Sequence, residues 1–368
     1  MKTLLLKLFI FIFCIFLFSF GIQNISSEFK GDENFYFESA RQMLETGDVI
    51  TPRYMGEERF QKPIFFYWFI LLSFKIFGVS WFAARLPSIV FGALCALLIF
   101  AISRLFFEDK RIGLFAALLS AVTPLYYRYA RLAVPDMALL FFMTLALYCF
   151  VKFYKNKKGR KSLLLFFSAA AFAVLIKGPV GLILPLLIVT VFCLFKKEKI
   201  RFRAGDIVAG IVIFVLLTAP WFYLMHRIHG GEYISHVCGR EIAQRLGHGY
   251  GGFLIAGYFK GFIFYASALI TKFLPYSLFM PLAFMGSFSI LSGRFPEKRT
   301  DTERTAHLFL ILWFTAVFLF FTFIAERRTH YLLTLVPPVS ILLGVIFNKA
   351  ISDRVFCSNL KFKLPYLL

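Results

Sequence analysis

Acidic side chains are scarce in this chain: 20 Asp and Glu stand against 41 Lys and Arg in 368 residues, a net charge of +21. Such a surplus invites a nucleic-acid reading. Yet no basic stripe interleaved with stacking aromatics stands on a soluble face, so nucleic acid is not an expected partner. The cations fall instead in short clusters between apolar runs, at Lys152 to Lys161, Lys196 to Arg203 and Arg294 to Arg304. That is the positive-inside pattern of cytoplasmic loops. Cysteine is thin as well, with six in all. Cys14, Cys95, Cys149 and Cys193 lie inside apolar runs, Cys238 in an expected external loop and Cys357 in the tail, so neither a disulfide framework nor a CxxC metal site follows. There is no internal repeat and no low-complexity linker.

What the chain has in excess is apolar surface. Sixty per cent of its residues are hydrophobic, 51 of them Phe, and the mean hydropathy is +0.76. A soluble domain could not bury that much. Repeated apolar runs of about twenty residues mark an all-α polytopic membrane protein. We expect about ten spans, near 3–22, 82–106, 112–130, 134–151, 162–177, 179–195, 205–225, 259–290, 306–325 and 331–348. The first follows Lys2 and Lys7 and looks like a signal peptide, but its apolar core is long and Gln23-Asn24-Ile25 is a poor cleavage site. It reads as an uncleaved span.

Pro63 to Ser80 is ambiguous, being apolar but short and carrying Lys75. If it does not cross, and the N-terminus is cytoplasmic, the basic loops at 104–111, 152–161, 196–203 and 293–304 all fall inside. It is therefore expected to lie in the outer interface. On this topology 23–62, the turn at Asp136, the Lys177-Gly178-Pro179 turn, 226–258 and 326–331 all emerge outside. The polar residues gather on one face, whereas a transporter tends to place its ionisable groups within its spans. The organisation expected is one membrane domain over 1–348, with an external catalytic loop at 23–80. A short basic cytoplasmic tail follows at 349–368, with no soluble C-terminal domain.

Several polar groups on that face could carry chemistry. Asp32 and Glu33 follow Gly31 and open a helical pattern in which Glu38 and Arg41 share a face. Acidic residues suit a helix start, but a carboxylate at a membrane surface can also deprotonate a hydroxyl or hold a cation. Pro52, Gly56 and Pro63 punctuate an ordered loop, and Lys62 ends it, where either snorkelling or a lipid phosphate would suit it. Asp136 sits between two spans behind Pro135, as a helix cap or facing a polar cavity. Four of the six histidines fall between His226 and His248, but at no tight metal spacing. Arg327 and Arg328 run against the positive-inside trend, and an anionic phosphate would explain them. The carboxylates supply a base, and the cations at 62, 177, 327 and 328 can stabilise a departing phosphate.

The order of these motifs resembles the bacterial membrane glycosyltransferases related to the aminoarabinose transferase of lipid A and to protein O-mannosyltransferases, which share the GT-C fold. The resemblance runs from about Gly31 to Gly344. It is densest from Asp32 through Arg104: the DE pair, ESARQML, GDVITPR, QKPIFFYW and FAARLPS. ARLAVPD, LIKGPVGLILP and the stretch from Arg327 through Tyr331 to Pro337-Pro338 follow in order. It implies Asp32 as the catalytic carboxylate with Glu33 beside it, and Asp136 as a second functional carboxylate. Lys62 and Tyr331 would lie at the donor phosphate and Lys177 in the family's KG turn; with Arg327 and Arg328, singled out above by their charge, they would cradle that phosphate.

The resemblance further implies an inverting glycosyltransferase of the bacterial inner membrane with its site facing the periplasm. It would use a polyprenyl-phosphate-sugar donor and a lipid, glycan or protein acceptor, as in lipopolysaccharide or protein glycosylation. A divalent metal ion is the one cofactor implied. Two positions depart from the pattern for that metal: Gln61 stands where a glutamate would help hold it, and Ile242 where a histidine would complete it. The extra spans and external C-terminal domain of aminoarabinose transferases are also missing from the expected layout. The competing reading is a polyprenyl-lipid or glycan transporter, which would keep the cationic outer surface without needing Asp32 and Asp136 for turnover. A third is an inactive remnant.

Overall fold

The computed structural model describes residues 2–24, 31–156, 159–196, 200, 202–236, 254–293, 300–324 and 326–352. Helices dominate, as apolar runs without backbone partners other than their own demand in a bilayer. The chain opens with α1 (Lys2–Ser19) and α2 (Gly31–Thr46), then a two-stranded hairpin of β1 (Arg53–Tyr54) and β2 (Glu57–Glu58). Met55 and Gly56, both at positive φ, make its turn, the conformation that matches the twist of a two-residue hairpin. Next come α3 (Phe65–Phe77), α4 (Trp81–Phe106), α5 (Lys110–Val122), α6 (Pro124–Ala130) and α7 (Asp136–Asn156). The second half holds α8 (Arg160–Lys177), α9 (Val180–Phe195), α10 (Ala204–Ser235), α11 (Leu254–Lys272), α12 (Met280–Leu291), α13 (Asp301–Phe323) and α14 (Val336–Ser352).

Each expected span falls on helix. By length and composition α4, α7, α10, α13 and the continuous stretch Thr329–Ser352 can each cross a membrane alone, while α1, α3 and α9 are apolar but shorter. The protein is thus an integral, multi-pass membrane protein. Two expected spans are broken. The 112–130 segment divides at Thr123, where Pro124 opens α6 at its first position and supplies no N–H to α5. The 259–290 segment, expected as one span, is two helices bent by 111°. Pro275 sits in the break, where it disfavours helix in the preceding residue and cannot donate to the turn before it.

With 13 residues, α3 falls short of the about twenty needed to cross. It buries Tyr67, Ile70 and Phe74 against α2 and α4 and leaves Trp68, Leu72, Ile76 and Phe77 exposed. That division suits a helix lying along the apolar boundary. The tight core forms where α4 packs on α1, α5 and α7, and α8 packs between α7 and α10. Gly181 allows α9 to fold back on α8, because a Cβ there would come within 2.4 Å of the Ala173 carbonyl carbon. Gly178, at φ +86°, makes the turn that leaves Lys177 at the end of α8. The four cysteines among the described residues are unpaired, and Cys238 and Cys357 lie outside those residues.

Candidate active site

The two adjacent carboxylates at the start of α2 have different surroundings. Asp32 is exposed and lines a charged chamber. Glu33 points the other way and is fully buried. Its oxygens take Arg85 Nε at 3.0 Å and Nη2 at 3.1 Å, and Oε1 also accepts the Ala133 backbone N–H at 2.6 Å. Arg85 donates in addition to the Ile22 carbonyl at 3.0 Å. Glu33, expected beside the chemistry, therefore lies outside the chamber wall and ties α2, α4 and the 131–135 turn together. A bidentate guanidinium plus a backbone donor can hold a buried carboxylate charged.

That turn carries Asp136 into place. Arg131 donates to the Phe20 carbonyl at 2.6 Å, and Ser88 Oγ donates to the Val134 carbonyl at 3.2 Å. Asp136 then begins α7, nearly buried, with Lys177 Nζ 2.6 Å from Oδ1 and His330 Nε2 at 3.8 Å from the same oxygen. Sequence reasoning gave His330 no role. Its only signal was its place one residue before Tyr331, and its closeness to Asp136 depends on a fold-back of nearly 200 positions. Lys177 also lies 5.9 Å from the centroid of the Tyr331 ring, which stacks on Phe321 at 4.7 Å.

Two cavities meet at this point. One, of about 270 Å³, is charged and is lined by Asp32, Arg59, Lys62, Asp136, Lys177 and Arg328 together with Tyr36. The other, of about 240 Å³, is largely apolar and runs past Leu139, Val180, Ile183, Leu184, Phe222 and Phe320. Gln61, Asp136, Lys177, His330 and Tyr331 belong to both. Burial foremost keeps the Tyr36 phenol protonated well above its ordinary range, so it presents a hydroxyl to the chamber. Of the expected phosphate ligands, Lys62, Lys177, Arg328 and Tyr331 are assembled here. Arg327 is not in either wall, and its Nε lies over Gly261 of α11.

The chamber is braced from outside. His229 of α10 places Nδ1 2.9 Å from Glu58 Oε2 and Nε2 2.9 Å from Thr51 Oγ1. Trp221 and Trp68 donate to the carbonyls of Ile50 and Val49 at 3.1 and 2.8 Å. The histidine-rich segment thus includes a strap onto the loop between α2 and α3. Glu241, Ile242, Arg245 and His248 lie outside the described residues.

Among the described residues the donor set at the chamber does not suit a divalent ion. Such an ion wants several anionic oxygens, and among the described residues no three His, Cys, Asp or Glu converge. Asp136 already holds Lys177 at 2.6 Å, and Gln61 brings a neutral amide. We therefore derive no step through a metal.

The helical membrane fold is of the GT-C class, shared with the solved structure named below. The family model for dolichyl-phosphate-mannose-protein mannosyltransferase matches residues 4–233, and the chain belongs to that family. A protein of Aquifex aeolicus is 30% identical over 88% of this chain and 60% of its own. The undecaprenyl phosphate-alpha-4-amino-4-deoxy-L-arabinose arabinosyl transferase of Pectobacterium atrosepticum is 28% identical over 85% of this chain and 54% of its own. The chain thus spans little more than half the length of these relatives. The crystal structure of ArnT from Cupriavidus metallidurans bound to undecaprenyl phosphate shares the fold, with a TM-score of 0.76 at 24% identity over 94% of this chain and 60% of that one.

Proposed function

We propose that the protein is an inverting glycosyltransferase that moves a sugar from a polyprenyl-phosphate-sugar donor to a lipid, glycan or protein acceptor. The observation that carries this reading is the junction of an apolar and a cationic cavity at Gln61, Asp136, Lys177, His330 and Tyr331. A prenyl chain needs the first and a phosphate the second, and the donor's linkage lies where the two meet. The relatives named for undecaprenyl phosphate chemistry support the same donor class. In the bacterial inner membrane, with the basic loops held in the cytoplasm, the site would face the periplasm.

The chemistry follows from the placement. The acceptor hydroxyl attacks the anomeric carbon from the side opposite the phosphate, and the carbon–oxygen bond to the phosphate breaks with its electron pair leaving on the phosphate. Asp32, exposed in the chamber, takes the acceptor's proton. Lys62 and Arg328 stabilise the charge that grows on the phosphate. Lys177 serves the same end while held by Asp136. Asp136 is thereby a positioning residue, and Glu33 fixes the helix that carries Asp32.

The test is sugar transfer from a radiolabelled polyprenyl-phosphate-sugar panel by the purified protein in lipid, with and without EDTA. Turnover that is lost in Asp32→Asn supports the transferase. Donor binding without turnover across the panel would instead favour a lipid-binding or transport role, and the EDTA arm decides whether a metal takes part.

A further inference from the structure

Of the side chains that line both cavities, most are already engaged within the protein. Asp136 and Lys177 hold each other at 2.6 Å, the Gln61 amide oxygen is sealed from the cavity, and the Tyr331 ring stacks on Phe321. His330 is the exception. It makes no hydrogen bond to any described residue, for Asp136 Oδ1 stands 3.8 Å from its Nε2, beyond hydrogen-bond reach. The rings of Tyr129 and Tyr331 flank it, with centroids 5.7 and 4.7 Å away. Its side chain is 15% exposed and lines both cavities. The short helical turn that carries it is fixed: the Arg328 N–H donates to the Tyr265 hydroxyl at 3.3 Å, the Tyr331 N–H donates to the Arg328 carbonyl at 3.2 Å, and Leu332, Leu333 and Leu335 are buried. A polar ring held still at a ligand cavity, its N–H committed to no described residue, points to a partner on the ligand.

We propose that His330 is a further catalytic residue, whose imidazole N–H donates to the lipid phosphate where the apolar and charged cavities meet. This rests on the transferase reading for its donor. The residue type suits the place, since an imidazole packs edge-on against Tyr331 on its apolar side and still offers an N–H on the other. Lys62 and Arg328 lend charge nearby, but each also has a partner within the protein: Lys62 donates to the Gln61 carbonyl at 2.9 Å and Arg328 to Glu326 at 2.7 Å. In the donor the phosphate is a diester with one negative charge. When the bond from the anomeric carbon to oxygen breaks, its electron pair stays on that oxygen and the phosphate becomes a monoester with a second charge. A hydrogen bond from His330 strengthens as that charge grows, so it favours departure of the phosphate. The acceptor's proton goes to Asp32, and the imidazole keeps its own.

The experiment titrates the full chain in lipid nanodiscs with a polyprenyl phosphate and with the corresponding polyprenol, which lacks the phosphate. The ratio of the two affinities reads the phosphate alone and cancels any damage to the prenyl groove. His330→Phe keeps a ring without a donor and is expected to lower that ratio about tenfold or more, the scale of a hydrogen bond to a charged group. His330→Gln keeps an N–H and is expected to restore most of the loss. Sugar transfer by His330→Phe should fall further than its donor affinity does, because the bond is stronger once the phosphate has gained charge. An unchanged ratio in His330→Phe overturns the proposal, as does a His330→Gln chain that fares no better. Should neither variant fold, NMR spectra of the unaltered chain with isotope-labelled histidine decide. An imidazole signal is expected to move with polyprenyl phosphate and not with polyprenol, and the absence of that movement overturns the proposal. A lowered ratio beside an unaltered chain that transfers no sugar would overturn the transferase reading alone. An unchanged ratio beside an unaltered chain that does transfer would overturn this proposal alone.

Discussion

Asp136 at the first position of α7 and Lys177 at the last position of α8 meet at 2.6 Å, with side chains only 10% and 9% exposed. The two helices run as neighbours, so the chain's return path places a carboxylate and an ammonium at one end of the hairpin. Neither charge could lie there alone. The pair gives the junction of the two cavities a fixed, nearly neutral floor, beside which Lys62, Arg328 and the exposed Asp32 line the charged chamber.

Breaking that pair from one side should be worse than removing it whole. Lys177→Met leaves Asp136 buried without its cation and is expected to cost about 3–5 kcal/mol of stability. Adding Asp136→Leu should recover part of that loss. Thermal unfolding of both single variants and the double in detergent gives the coupling. Additive losses would show that the two charges do not depend on each other.

Glu33 and Asp32 should separate cleanly in a measurement that reads folding and turnover side by side. Asp32→Asn is expected to lower transfer by at least about a hundredfold with little change in thermal stability, as removal of an exposed general base does. Glu33→Ala should lower the unfolding temperature markedly, because it strands Arg85 in the core. An Asp32→Asn chain with full activity would remove the assignment of the base.

The α8–α9 hairpin carries a steric prediction. Gly181→Val places atoms where the Ala173 backbone already lies, 2.4 Å from a Cβ, and should cost about 1–3 kcal/mol through forced separation of the helices. Since Lys177 ends α8, the same variant should weaken binding of polyprenyl phosphate in a direct titration.

His229 supplies a test of strap against metal ligand. His229→Ala removes the bridge between Thr51 and Glu58 and should weaken donor binding severalfold by loosening the loop that carries Arg59, Gln61 and Lys62. The loss should be the same with and without EDTA. A chelator that reproduced the defect in the unaltered chain would move His229 into a metal site.

Much of this protein is legible without coordinates. Apolar runs and the placing of Lys and Arg give a multi-pass helical bundle, because a bilayer leaves the backbone few other ways to satisfy its polar groups. Motif order led to the residues of the charged chamber, since Asp32, Lys62, Asp136, Lys177, Arg328 and Tyr331 do line one cavity. What one dimension could not carry is direction. Asp32 and Glu33 are neighbours in the chain, yet successive helical positions point about a hundred degrees apart, so one faces the chamber and the other the core. His330 and Gln61 gained their places only when distant segments folded together, and the break at Pro275 turned one expected span into a bend. The sequence by itself determined that the chain lives in a membrane and which charges could meet a phosphate, for those follow from solvent and charge. Which carboxylate is buried in holding the fold, and which stays exposed in the chamber, only the tertiary structure decided, because that depends on who stands opposite each side chain.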